Sequence, residues 1–229
     1  EGNNRIAADS IQPHAVDPWL RAPFGSAIVF EDQSLAAKAK PILDEAYSII
    51  RKWRPHLFAE MRLICHAVQF ERDPSAHPEK IVSFSDNSVP GALFVSVAHG
   101  DGLINPYDLA DSLVHEHRHQ KLYLLERLHP VVEPTSMRVK SPWREELRPP
   151  TGLFHAIFVF VELRRFWAHV LSLGVERIQR RAISQLRDTD KNLLTALETL
   201  KTCPLTETGR RLATVLEASW QASQRNACI

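Results

Sequence analysis

Apolar and polar positions alternate between two periods along this chain. From Ser34 to about Trp53, Leu35, Ala39, Leu43, Ala46, Ile49 and Ile50 recur at helical spacing. Ser34 is the expected N-cap and Pro55 the expected stop. Ser26 to Glu31 and Arg62 to Phe70 have the apolar content of strands, and Asp73, Pro74, His77 and Pro78 mark a loop. Ile81–Phe84 and Ala92–Val97 flank the turn-forming stretch Asp86 to Gly91, which predicts a small antiparallel sheet. A helix is expected from Asn105 (N-cap) and Pro106 (first position) to about Leu128, ahead of Pro130. Residues 130–150 hold Pro130, Pro134, Pro142, Pro149 and Pro150 and read as a loop. A very apolar helix follows from about Thr151 to Leu173, stopped by Gly174. Two amphipathic helices, about Val175–Leu200 and Leu205–Gln224, are separated by Pro204. Residues 1–25, with Pro13, Pro18 and Pro23, read as an extended arm. The predicted class is α+β and mainly helical: one domain over 1–229, a small antiparallel sheet packed on a helix bundle.

Composition narrows the function classes. With 28 basic and 27 acidic residues the net charge is +1, so no long-range field is present to hold a nucleic acid. Cys65, Cys203 and Cys228 are sparse, odd in number and far apart. They fit neither a disulfide framework nor a cysteine zinc site, and suit a reducing cytoplasm. The longest apolar run, Gly152 to Val161, is shorter than the ~20 residues of a membrane span. No secretory leader is expected at the start of the sequence as it stands.

The candidate chemistry lies in the helix expected after Asn105. Ser112-Leu-Val-His-Glu-His-Arg-His119 contains H-E-x-x-H as His115, Glu116 and His119. Residues four apart lie about 40° apart around a helix and ~6 Å along it, so both imidazoles can reach one ion. Glu116, next to His115, is placed to touch water on that ion; in metallopeptidases of this pattern it is the general base. Leu109, Leu113, Leu122 and Leu125 give the helix an apolar face, which argues for a packed helix over a histidine-rich surface one. His117 falls on the opposite side and reads as a surface or hydrogen-bonded histidine. The longer zinc-peptidase motif would need glycine at 122 and histidine at 125, where leucines stand.

A catalytic metal needs a third protein ligand and an open position. His155, inside the apolar stretch Gly152-Leu-Phe-His-Ala-Ile-Phe-Val-Phe-Val-Glu162, is the expected third ligand, against the plainer reading of a buried structural histidine. Glu162, seven residues on, shares its face and serves either as a partner behind the ligands or as the third ligand of a His2Glu zinc site. Arg144 and Arg148, in Ser141-Pro-Trp-Arg-Glu-Glu-Leu-Arg148, form a candidate bidentate clamp for a carboxylate. The alternative is a surface pair neutralised by Glu145 and Glu146.

Taken in order, Gly91-Ala-Leu-Phe-Val-Ser96, Ser112-x-x-His115-Glu-x-x-His119, Ser141-Pro-Trp-Arg144 and Arg148-Pro-x-x-Gly152-x-x-His155 resemble the H-E-x-x-H domain proteins encoded beside ribosomally made, post-translationally modified peptides. The likeness covers roughly residues 90–170. That family has been described as iron(II)- and 2-oxoglutarate-dependent peptide β-hydroxylases with a helical fold. The resemblance implies Fe(II) on His115, His119 and His155, and 2-oxoglutarate paired with Arg144 or Arg148. It also implies O2 as co-reactant and a precursor peptide as substrate. Two other readings use the same residues: a zinc-dependent hydrolase with Glu116 as general base, and a non-catalytic metal- or peptide-binding module.

Overall fold

The computed structural model describes residues 28–74, 81–100 and 102–225. The expected arm at 1–25 and Cys228 lie outside the described residues. The described residues form six helices and eight short strands, a mainly helical α+β architecture with small mixed and antiparallel sheets. The chain divides into two compact units, Glu1–Gln120 and Lys121–Ile229.

In the first unit, β1 (Val29–Phe30) precedes α1 (Gln33–Trp53). Asp32 caps this helix, its Oδ1 accepting from Leu35 N at 2.9 Å, so the N-cap lies two residues before the Ser34 predicted from sequence. The first helix ends at Trp53, ahead of Pro55, as the sequence predicts, but a second helix follows at once. Arg54 caps α1, and Pro55 opens α2 (Pro55–Ile64), since proline suits the first helical position as well as a stop. The strand expected from Arg62 therefore starts later, as β2 (Ala67–Arg72).

β3 (Ser83–Phe84) pairs antiparallel with β4 (Ala92–Ser96) across the expected turn. The longest ladder, β2 with β4, is parallel, from Ala67↔Ala92 to Glu71↔Ser96. The four-stranded order β1-β2-β4-β3 is thus mixed, not the antiparallel sheet predicted. One face carries Ala67, Ala92 and Phe94, with Phe30 edge-on to Phe94 and Phe84 stacked on it at 4.9 Å. The other face presents Val68, Phe70, Leu93 and Val95, all at most 1% exposed. Each such side chain contributes about 1.5–3 kcal/mol by leaving water. A small hairpin, β5 (Ala98–His99) with β6 (Gly102–Leu103), leads to α3 (Pro106–Leu128). Its start is as predicted: Asn105 Oδ1 accepts from Tyr107 N and Asp108 N at 2.9 and 3.0 Å. α3 runs on into the second unit.

In that unit, the stretch read as a loop at 130–150 holds a hairpin, β7 (Val139–Ser141) with β8 (Arg144–Arg148). Trp143 at its turn stacks on Phe160 of α4 (Pro150–Ser172) at 4.5 Å, which fastens the hairpin to the helix. Gly174, at φ +65°, ends the α4 region in the left-handed conformation that suits glycine. α5 (Glu176–Leu200) and α6 (Glu207–Arg225) then pack with α4 around Phe154, Ile157, Phe158, Leu193, Leu197 and Trp220. Val132 bridges to Leu205, and a Cβ at Gly209 would stand 1.9 Å from Val131 O, so this close approach admits only glycine. No helix among the described residues is long and apolar enough to cross a membrane.

Candidate metal centre

The first two-thirds of α3 is buried on almost every side. From Tyr107 to Gln120 every residue is buried except Asp111, His115 and His119, which are half-buried. These three recur every four residues, so they form one narrow accessible stripe on a helix otherwise inside the fold. On that stripe His115 Nε2 and His119 Nε2 stand 3.2 Å apart, with ring centroids at 5.0 Å. Two nitrogens at that separation can both lie ~2.1 Å from one ion, with a nitrogen–metal–nitrogen angle of roughly 100°. The pair fits a transition metal or zinc, both of which take imidazole nitrogen.

Glu116 is 1% exposed. Its Oε1 accepts from Ser83 Oγ at 2.6 Å and lies 3.9 Å from His115 Nε2. Its Oε2 is buried and has no hydrogen-bond partner. Burial pushes the carboxyl up to about 7; bonds from the Ser83 and Ser85 hydroxyls pull it back, and the charges of Glu71 and Asp111 push it further up. The β3 segment is fastened to α3 at three points. Beside Ser83, Ser85 Oγ reaches Glu116 O at 3.5 Å, and Gln120 clasps the turn before β4. Gln120 Oε1 accepts from Gly91 N at 3.1 Å, and its amide donates to Val89 O and Ala92 O at 3.4 and 3.3 Å. Gly91 is obligatory there, with φ +85° and Ile64 O only 3.1 Å from where a Cβ would stand.

His117 is fully buried on the opposite side of the helix, its Nε2 3.2 Å from Glu60 Oε1 of α2. It lies between two helices, away from the stripe. Leu109, Leu113 and Leu122 are buried as expected, but Leu125 is 39% exposed and lies outside that apolar face.

The remaining candidates belong to the second unit. His155 is 7% exposed on α4, and its Nε2 lies 2.7 Å from Glu126 Oε2. Glu126, which the sequence did not single out, thus occupies the partner role expected of Glu162. Glu162 is itself buried, with Oε2 3.7 Å from Arg165. Arg144 and Arg148 stand two strand periods apart on β8 and line a pocket of about 460 Å³ with Glu145 and Glu146. Arg148 lies along Gly152, its Nε 3.8 Å from where a Cβ would stand. Among the described residues no group of three or more His, Cys, Asp and Glu side chains is gathered to hold a metal ion. The converging set is the pair His115 and His119.

Asp111 and Ser83 also escaped the sequence reading. Asp111 had a legible signal, four residues before His115 in the same helical phase. Ser83 had none, because only the fold brings β3 against α3. No family model matches the sequence. No curated protein matches it either.

Proposed function

We propose that this chain is a metal-dependent oxygenase that uses iron(II) and 2-oxoglutarate to hydroxylate the β-carbon of a residue in a ribosomally made peptide. The observation that carries the metal half is the convergence of His115 Nε2 and His119 Nε2 at 3.2 Å on the one accessible stripe of a buried helix. The cosubstrate and peptide half rests on the family resemblance, and is supported by two arginines on one strand lining one pocket. Bound iron would supply O2 activation coupled to decarboxylation of the cosubstrate. The chain's own residues do the rest. His115 and His119 offer neutral nitrogen lone pairs, and Ser83 fixes the rotamer of Glu116 beside His115. Arg144 or Arg148 offers a planar fork of donors to a carboxylate. The family resemblance assigns the third ligand to His155.

One observation favours a second reading, a zinc hydrolase. A carboxyl raised to about 7 next to a histidine pair has the basicity suited to a general base at neutral pH. The two part on products. Purified protein is assayed for metal content, then titrated anaerobically with Fe(II) and 2-oxoglutarate, and followed for a charge-transfer band and for succinate. The oxygenase gives both. Peptide cleavage with bound zinc and no succinate selects the hydrolase. In either case His115→Ala and His119→Ala each abolish stoichiometric metal binding, while His117→Gln keeps it. Equal loss in all three removes the metal assignment.

A further inference from the structure

The two sides of α5 differ in more than polarity. Ile178, Ala182, Leu186, Leu193 and Leu197 set one side into the core. On the opposite side Arg177, Arg180, Arg181, Arg187 and Lys191 are all exposed. At 100° per residue they fall within about a third of the circumference, along about 21 Å of helix axis. Two acids share that stretch of surface, Glu176 at its edge and Asp188 within it. Asp188 is engaged locally, its Oδ1 3.4 Å from Arg187 Nε and its Oδ2 accepting from Ser184 Oγ at 3.2 Å. The side chains of Arg177, Arg180 and Lys191 make no hydrogen bond or ion pair among the described residues. A near-zero net charge of +1 is thus unevenly spread.

A helix face that only meets water gains from mixing its signs, because a cation and an acid three or four residues apart attract. Here Arg177 with Arg180, Arg177 with Arg181, and Arg187 with Lys191 are like-charged pairs at those separations. Arg177 and Arg180 also stand near the positive end of the helix dipole, where acids are favoured. Both effects oppose helix stability, so the fold gives no reason for the pattern. Ile183 and Leu194, 50% and 56% exposed, border the cations on one flank, three turns and about 16 Å apart.

We infer that this face of α5 is a docking surface for an acidic amphipathic peptide helix. Its carboxylates pair with Arg177, Arg180, Arg187 and Lys191, and its apolar residues cover Ile183 and Leu194. Complementary charge selects the acids. The two apolar side chains select a peptide, since a sugar–phosphate backbone offers them no contact. A membrane-surface helix inserts its whole apolar face, and α5 has committed that face to the core. The surface lies within the second unit and is independent of the metal-centre reading.

The test uses the full chain and a fluorescein-labelled synthetic helical peptide of about five turns, with glutamates on one face and two leucines three turns apart on its border. The same residues in scrambled order, an oligo-dT strand and anionic phosphatidylserine vesicles are the comparisons. Followed by anisotropy at low salt, the parent binds the patterned peptide more tightly than the other three, and added salt weakens the complex. Arg180→Glu with Arg187→Glu lowers affinity for the patterned peptide by roughly tenfold. Ile183→Ser with Leu194→Ser removes the preference over the scrambled peptide. All four side chains are exposed, and if the charge reversal does not fold, Arg180→Ala with Arg187→Ala gives a smaller loss in the same direction. Unchanged affinity in the arginine variants overturns the inference, as does a parent that does not bind the patterned peptide. Tighter binding of the oligonucleotide or the vesicles through the same arginines overturns the choice of a peptide, and equal binding of the scrambled peptide overturns the role of Ile183 and Leu194.

Discussion

Asp190 in the second unit and Glu116 in the first are acids on helices packed in a core, and their oxygens fare differently. Asp190 Oδ1 accepts from Arg164 Nε at 3.0 Å and from Trp220 Nε1 at 2.7 Å, and Oδ2 accepts from Arg164 at 3.2 Å. Arg164 also donates to Ser223 O at 2.6 Å, so α4, α5 and α6 are joined through one satisfied polar knot. Glu116 has one oxygen on Ser83 and the other buried with no hydrogen-bond partner. An unmatched buried acceptor costs about 1–3 kcal/mol, and a fold retains it where something other than stability is gained. The knot has the signature of structure. The stripe beside Glu116 has the signature of a site.

The comparison breaks most visibly at the knot. Asp190→Ala leaves the Arg164 guanidinium, 4% exposed, without its acid, and is expected to cost about 3–5 kcal/mol in urea unfolding. Metal binding at His115 and His119 should survive in the fraction that stays folded. A cost below about 1 kcal/mol would make the knot ornamental and remove the contrast.

A second test concerns Glu71 on β2, the other buried acid of the first unit with an unpartnered oxygen. Burial pushes its carboxyl up to about 7, Asp73 and Glu31 add to the rise, and the Ser96 hydroxyl at 3.2 Å opposes it. The folded state therefore binds a proton that the unfolded chain, titrating near 4.5, has released. Stability from this group is fully present below about 4.5 and lost as pH rises through about 7, a change of roughly 3 kcal/mol. Glu116 acts in the same direction in metal-free protein. The Glu71→Gln variant isolates the effect: unfolding free energies of parent and variant should agree near pH 5, with the variant pulling ahead by pH 8. A constant difference across that range would show that Glu71 is not titrating inside the fold.

How far the sequence reached follows from which forces act locally. The start of α3 was legible because Asn105-Pro106 carries its own cap chemistry, and the end of the α4 region because Gly174 takes a backbone conformation that few residues adopt. Pro55 was ambiguous, since proline stops one helix and starts another by the same lack of an N–H. Strand β8 was invisible because Arg-Glu-Glu-Leu-Arg has no apolar alternation, and its pairing is fixed from outside by Trp143 on Phe160. The parallel β2–β4 ladder is set by which strands the fold brings together. The same division holds for the site. The spacing of His115 and His119 is local and was readable, whereas Ser83 and Glu126 reach their histidine-bearing helices from positions 33 and 29 residues distant in sequence.

The smallest expected effect probes that fastening directly. Ser83→Ala removes the 2.6 Å bond to Glu116 Oε1 and leaves a second oxygen of a buried carboxyl without a donor. The loss is about 1–2 kcal/mol in metal-free protein, since the substitution removes one hydroxyl and the hydrogen bond it makes. Ser85→Ala removes a 3.5 Å contact to the Glu116 carbonyl and should cost at most about 0.5 kcal/mol, because bonds of that length are weak and this oxygen also serves the helix. The order matters more than the sizes. With Ser83 gone, only Ser85 still opposes burial, so the proton is held to a higher pH and the loss of stability on raising pH extends further up the scale. A pH titration of unfolding midpoints across Ser83→Ala, Ser85→Ala and parent reads both quantities at once. If Ser85→Ala proves the more damaging, β3 grips the backbone of α3 and not the Glu116 side chain, and Glu116 is then no more deliberately placed than any buried acid.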